Sequence, residues 1–188
     1  MADAVVIPGR SGGPWSPLPC YTGDLAELRG ARVHRHQWTE TPPGRPEILE
    51  PPAQRWVCDQ VTPLLDTLER PLLIGKSLGT YACGLAAERD LPAVWLTPLL
   101  HAGHEVAALR RATAPFLLVG GTADPHWDPQ VARRLTPHVF EVAGADHGMY
   151  VPGPLTASIG VLTQVVQAMA EFLDETGLSL AGTSPAPP

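Results

Sequence analysis

Six short apolar runs punctuate the chain, and four of them show no polar alternation: Val5-Val6-Ile7, Leu72-Leu73-Ile74, Ala93-Val94-Trp95-Leu96 and Phe116-Leu117-Leu118-Val119. A strand with one wet face alternates polar and apolar residues, whereas a strand covered on both faces has no reason to. Runs of this kind call for a parallel sheet sandwiched between helices. The other two runs, Ala31 to Trp38 and His138 to Val142, are more polar, which suits strands at the sheet edges.

The stretches between the runs read as helices. Leu155, Ile159, Leu162, Val166, Met169 and Leu173 keep a three-to-four spacing, so residues 155–175 form the clearest amphipathic helix. Asp128-Pro129 opens a helix to Leu135 with a capping residue and a proline at the first helical position. The Ala-rich segment Leu78 to Arg89 is helical, and so is Trp56 to Leu68, which Pro63 should kink or start. Residues 39–52 carry five prolines and read as a loop. The expected fold is α/β: three layers, α/β/α, around a doubly wound, mostly parallel sheet of about six strands.

The chain has 188 residues, the length of about one domain. Residues 1–176 are expected to form it. Residues 177–188, with Gly, Ser, Thr and three late prolines, are expected to be a disordered tail. Hydrophobic residues make up 44% and charged residues 17%, a globular balance. The net charge of −6 and the lack of any basic block argue against nucleic acid or an anionic membrane as partner. Cys20, Cys58 and Cys83 are odd in number and widely spaced, which suits a reducing compartment. With no basic leader and no spanning apolar run, a cytoplasmic location is expected.

The strongest local motif is Gly75-Lys76-Ser77-Leu78-Gly79, a G-x-S-x-G between an apolar run and a helix. A serine on a sharp strand-to-helix turn projects its hydroxyl above the sheet, and glycines two before and two after let neighbouring backbones pass. The helix start behind it offers free N–H groups. A phosphate-binding loop is excluded, because it needs glycine where Arg70 stands and a loop where Pro71 to Ile74 form a strand. A serine nucleophile needs a base, and the base an orienting carboxylate. Gly120-Gly121-Thr122-Ala123-Asp124 and Gly144-Ala145-Asp146-His147-Gly148 follow the fifth and sixth runs, at strand ends where active sites of open α/β sheets collect.

On these three ordered motifs, over residues 4–175, the chain resembles the α/β-hydrolase family. It is similar to small serine hydrolases of the esterase, thioesterase and dienelactone-hydrolase kind, reduced to a minimal core without a cap domain. Dienelactone hydrolases use a Cys nucleophile; this chain has Ser77. The loop Ile7 to Gly13 resembles the family's oxyanion loop, with Pro8 where a histidine is usual. The resemblance implies Ser77 as nucleophile, His147 as general base and then acid, and Asp124 as the orienting acid. It also implies an oxyanion hole from the backbone N–H groups of Leu78 and Arg10. The implied substrate is a small ester, thioester or lactone cleaved through an acyl-enzyme, with no cofactor and no metal. Acyl transfer or lyase chemistry with the same triad is an alternative, and a hydrolase-like binding or receptor protein with little turnover is another.

Rival residues have simpler roles. Asp128 reads as a helix cap, and Asp146 is adjacent to His147 in sequence, a poor position for a shared hydrogen bond. His34 and His36 share one strand face without a third ligand. Trp15, Trp127 and Met149 lie beside the loops and either line an acyl pocket or cover the sheet edge. Leu99 and His101 are candidates from the connection Thr97 to Gly103. That connection is too short to hold a lid, so short soluble acyl groups are expected, unless the 39–52 loop covers the cleft.

Overall fold

The computed structural model describes residues 2–180. All six apolar runs form strands: β1 (Asp3–Ile7), β2 (Arg32–Arg35), β3 (Leu72–Lys76), β4 (Ala93–Leu96), β5 (Phe116–Gly121) and β6 (Val139–Val142). They make one sheet in the order β2-β1-β3-β4-β5-β6, and every neighbouring pair is parallel. The two polar runs occupy the two edges, and the four continuous apolar runs lie inside.

Helices α1 (Pro17–Leu28) and α6 (Leu155–Glu175) cover one face, and α2 (Pro51–Leu65), α3 (Cys83–Arg89), α4 (Gly103–Leu109) and α5 (Pro129–Leu135) the other. β1 shows why its sequence does not alternate. Val5 and Ile7 pack with Val57, Val61 and Leu85, while Ala4 and Val6 pack with Leu18, Val165 and Met169 on the opposite side. By length and a mean hydropathy of 1.2, α6 would suffice to cross a membrane, but Val161, Val165, Met169 and Phe172 on one face are buried against the sheet.

Three details differ from the sequence reading. α1 was not legible, because Pro17, Pro19, Thr22 and Gly23 are weak helix formers. Tertiary packing selects Gly23: a Cβ there would stand 2.9 Å from Val6 Cγ2. α2 starts at Pro51, inside the expected loop, and Pro63 falls in its last turn without starting it. Of the expected tail, 181–188 lie outside the described residues, whereas Leu180 is 7% exposed and joins the core beneath α6.

The segment after β3 is a 3-10 turn, Ser77–Ala82, that leads into α3. It rests on a buried carboxyl. Glu105, fully buried at the start of α4, has Oε1 2.6 Å from Thr80 Oγ1, and its Oε2 accepts the Leu99 N–H at 2.9 Å. Thr80 Oγ1 is also 2.6 Å from the Ser77 carbonyl oxygen. A hydroxyl carries one hydrogen. Both contacts become full hydrogen bonds when the hydroxyl donates to the carbonyl and accepts from a protonated Glu105. Burial pushes the Glu105 carboxyl up to about 7, against the opposing pull of the Leu99 N–H. Tyr81, Cys83 and His104 surround it, and none supplies a compensating cation.

The folded protein thus holds a proton that an unfolded Glu releases near pH 4.5. Stability from this group is fully present below that pH and is lost as pH rises through about 7, a change on the order of 3 kcal/mol. Glu105→Gln keeps both hydrogen bonds as a neutral amide. Urea unfolding at pH 5, 6, 7 and 8 should show wild-type stability declining over this window by that amount more than the variant's. Parallel profiles would mean that Glu105 is not protonated in the fold.

Candidate active site

β3 ends at Lys76, and the chain reverses direction at Ser77, whose φ of 51° lies in the left-handed region. A non-glycine residue there is strained and persists only where its surroundings hold it. The two glycines of the motif provide that hold. A Cβ on Gly75 would stand 2.7 Å from both the Gly79 carbonyl oxygen and the Trp95 ring, and a Cβ on Gly79 would overlap the Ile7 carbonyl. The turn therefore seats directly on β1 and β4.

Above the turn, Ser77 Oγ is 2.7 Å from His147 Nε2, and His147 Nδ1 is 2.7 Å from Asp124 Oδ2. Ser77 is 7% exposed and the Asp124 side chain is buried. The second Asp124 oxygen accepts the His126 N–H at 2.9 Å, so both oxygens are engaged. Burial alone would raise the Asp124 carboxyl. The hydrogen bonds from His147 and the His126 N–H, with the neighbouring imidazoles, outweigh burial and hold it below its ordinary value. A permanently ionised acid fixes the imidazole so that Nδ1 carries hydrogen and Nε2 faces the serine.

The rival carboxylates are committed elsewhere. Asp128 Oδ1 accepts the Gln130 and Val131 N–H groups, both at 2.9 Å, and caps α5. Asp146 Oδ1 accepts the Gly148 and Tyr150 N–H groups at 2.8 and 2.9 Å and so shapes the loop that presents His147. His34 bonds Asp3, and His36 packs edge-on against Trp38.

The β1–α1 loop passes beside the serine. A Cβ on Gly9 would stand 3.5 Å from Ser77 Cβ, which places Arg10 next to the site. The Trp38 indole N–H donates to the Gly9 carbonyl at 3.0 Å and pins this loop. No side chain caps the 3-10 turn, whose second residue is Leu78.

The candidate pocket residues separate. Leu99 (2% exposed) and Trp127 (5%) are core, not pocket, residues. Trp127 packs over Gly120 and donates its indole N–H to Glu141 at 2.6 Å. Trp15 is 62% exposed and lies under the Arg35 guanidinium, 4.7 Å from ring centroid to carbon, at the β2 edge. His101 is exposed on the side of His126, and the His126 ring meets the His147 ring edge-on at 5.3 Å. Met149 does line a cavity, a groove of about 540 Å³ between α1 and α6. Leu18, Leu155, Ile159 and Leu162 form its walls and Lys76 reaches it; Tyr21 and Tyr150 stand exposed at its rim.

No inserted lid separates β4 from α4, which are joined by residues 97–102. The 39–52 segment packs toward α2, where the Ile48 carbonyl accepts the Tyr81 hydroxyl at 2.7 Å. Trp38, Thr80 and Glu105 were missed from the sequence, because their partners are remote in the chain. Thr97 was missed too. It follows Leu96, the residue paired with Lys76, and is a buried β-branched residue at φ 47° whose hydroxyl has no partner. Lys76 did carry a signal: it is the chain's single lysine beside twelve arginines.

No protein-family model and no curated protein sequence matches the chain. Solved structures do. A protein from Xanthomonas campestris assigned to the α/β hydrolase superfamily aligns with TM-score 0.68 at 17% identity, covering 93% of this chain and 99% of its own. A second Xanthomonas campestris protein, described as a serine hydrolase without a lid, aligns with TM-score 0.59 at 15% identity, covering 100% and 86%. A dienelactone hydrolase from Anabaena variabilis aligns with TM-score 0.60 at 20% identity, covering 94% and 88%. Six parallel strands in this order, with a serine at the turn after β3, give this chain the α/β-hydrolase fold in a form without a cap domain.

Proposed function

We propose that the protein is a serine hydrolase that cleaves a small ester, thioester or lactone through an acyl-enzyme. One observation carries this reading: the unbroken hydrogen-bonded series from Asp124 through His147 to a Ser77 held at positive φ. In the first half-reaction Ser77 Oγ attacks the acyl carbon while His147 Nε2 takes its proton. The imidazolium is stabilised by ionised Asp124, and the oxyanion by the N–H groups of Leu78 and Arg10, each worth ~3 kcal/mol. Collapse expels the alcohol or thiol, which takes the proton from Nε2. Water then attacks the acyl-serine with His147 as base, and Ser77 leaves with the proton restored.

Ser77→Ala should abolish turnover of p-nitrophenyl acetate and labelling by a fluorophosphonate while the circular dichroism stays unchanged. Labelling that survives in this variant would remove the serine from the reaction.

Asp124→Asn should lower kcat by about 10⁴, because the amide favours the wrong imidazole tautomer. Asp128→Asn should cost only about 1 kcal/mol of stability through its cap. The opposite ranking of the two activities would assign the acid to Asp128.

Chain length reports on the cleft. The groove is open at its rim, so each added CH₂ gains less than the ~0.8 kcal/mol of full burial. Across p-nitrophenyl esters from C2 to C12, kcat/KM should peak at or below about C6. A maximum at C8 or beyond would require a cover that closes over the chain.

A further inference from the structure

Lys76 immediately precedes Ser77, and its side chain lines the groove between α1 and α6. Three residues that reach the groove are each adjacent in sequence to a residue assigned to the reaction: Ser11 follows Arg10, Lys76 precedes Ser77, and Gly148 follows His147. The groove therefore borders the segments that carry the candidate triad, on the α1–α6 side. Leucine, isoleucine and methionine dominate its walls beside three serines and two tyrosines, and Lys76 is the one charged side chain among the described residues that line it.

The ammonium is incompletely satisfied. Its one hydrogen-bond acceptor is the His147 carbonyl, at 3.2 Å. Among the described residues no carboxylate lies within 4.0 Å of Nζ. The two nearby carboxylates, Asp124 and Asp146, are occupied by His147 and by the His147 loop. The partly buried ammonium faces the groove with one neutral acceptor, and a carboxylate brought by a ligand would add a charge-assisted hydrogen bond. Burial depresses the Lys76 amine, against the pull of Asp124 and Asp146. Everywhere else in the chain a side-chain cation is an arginine; here alone stands the compact ammonium, three donors on a flexible stem.

We infer that the groove is a substrate subsite for an apolar group ending in a carboxylate, which pairs with the Lys76 ammonium. The preferred substrates are then monoesters or thioesters whose acyl group carries an acid at its far end. This rests on the serine-hydrolase reading, and the experiment separates the two.

Two measurements test it. The first compares kcat/KM for p-nitrophenyl hydrogen adipate with that for p-nitrophenyl hexanoate, which has the same number of acyl carbons. A charge-assisted hydrogen bond is worth about tenfold to a hundredfold. The wild-type ratio should exceed about tenfold in favour of the adipate, fall to near unity in Lys76→Met, and be partly kept in Lys76→Arg. The second needs no catalysis: calorimetric titration of 4-phenylbutyrate and its neutral amide into wild type and Ser77→Ala. The carboxylate should bind at least about tenfold more tightly to both proteins, with the difference gone in Lys76→Met. Equal binding of acid and amide to wild type overturns the subsite, whether or not esters are cleaved. Selective binding of the acid with the two esters turned over equally puts the anion site off the reaction path and overturns the substrate class. If neither ester is cleaved, the hydrolase reading fails and the substrate class falls with it, while the titration still decides whether Lys76 binds a carboxylate.

Discussion

The site depends on one strained residue. Ser77 is placed above the sheet because its backbone turns left-handed at the end of β3, a conformation an L-residue adopts only under constraint. The constraint is contact. Gly75 lies against Trp95 and Gly79, and Gly79 lies against the β1 carbonyls, so the turn has no room to relax. A side chain at either glycine would push the turn off β1 or β4 and release the serine. The two innermost strands, the loop after β1 and the segment into α3 all take their positions from this contact.

Hydrogen bonds hold the turn from both sides. Beneath it, Thr80 reaches the Ser77 carbonyl and Glu105 bonds Thr80, tying the turn to the start of α4 across the core. Above it, His147 reaches the hydroxyl and Asp124 fixes His147. The loops that deliver these groups are themselves closed by local bonds. Asp146 gathers the Gly148 and Tyr150 amides, and Trp38 holds the Gly9 carbonyl. The lower network is buried and needs a protonated Glu105, while the upper one opens toward the cleft. This division suits a rigid base under a reacting face.

The α1–α6 side differs from its opposite. Helices α2 to α5 close over the sheet with a continuous core, whereas α1 and the start of α6 diverge around the groove that Lys76 enters. Lys76 and Gly148, which flank Ser77 and His147 in sequence, both line this groove. Lys76 is the one cation among the described residues that line it, and the exposed Tyr21 and Tyr150 stand beside it.

Much of this was legible because it is local. Strands buried on both faces are written as unbroken apolar runs, so all six strands, their parallel sense and the two polar edges followed from residue order. The serine, histidine and acid each sit in a glycine-bounded turn just after a strand, a pattern that needs no partner to be recognised. Features set by distant partners were not legible. α1 forms despite weak propensities because Gly23 fits against Val6; Leu99 and Trp127 looked like pocket residues and are core; Leu180 looked like tail and is buried. The amino-acid order by itself determined the sheet, the layers and the glycine-bounded turns that carry the candidate serine, histidine and carboxylates, since hydrophobic period and turn chemistry act over a few residues. Only the tertiary structure decided which carboxylate faces His147, where the groove opens, that Lys76 reaches the His147 carbonyl, and that Glu105 is tied to the Ser77 carbonyl through Thr80. Those outcomes depend on contacts between residues far apart in the chain, which no local pattern records.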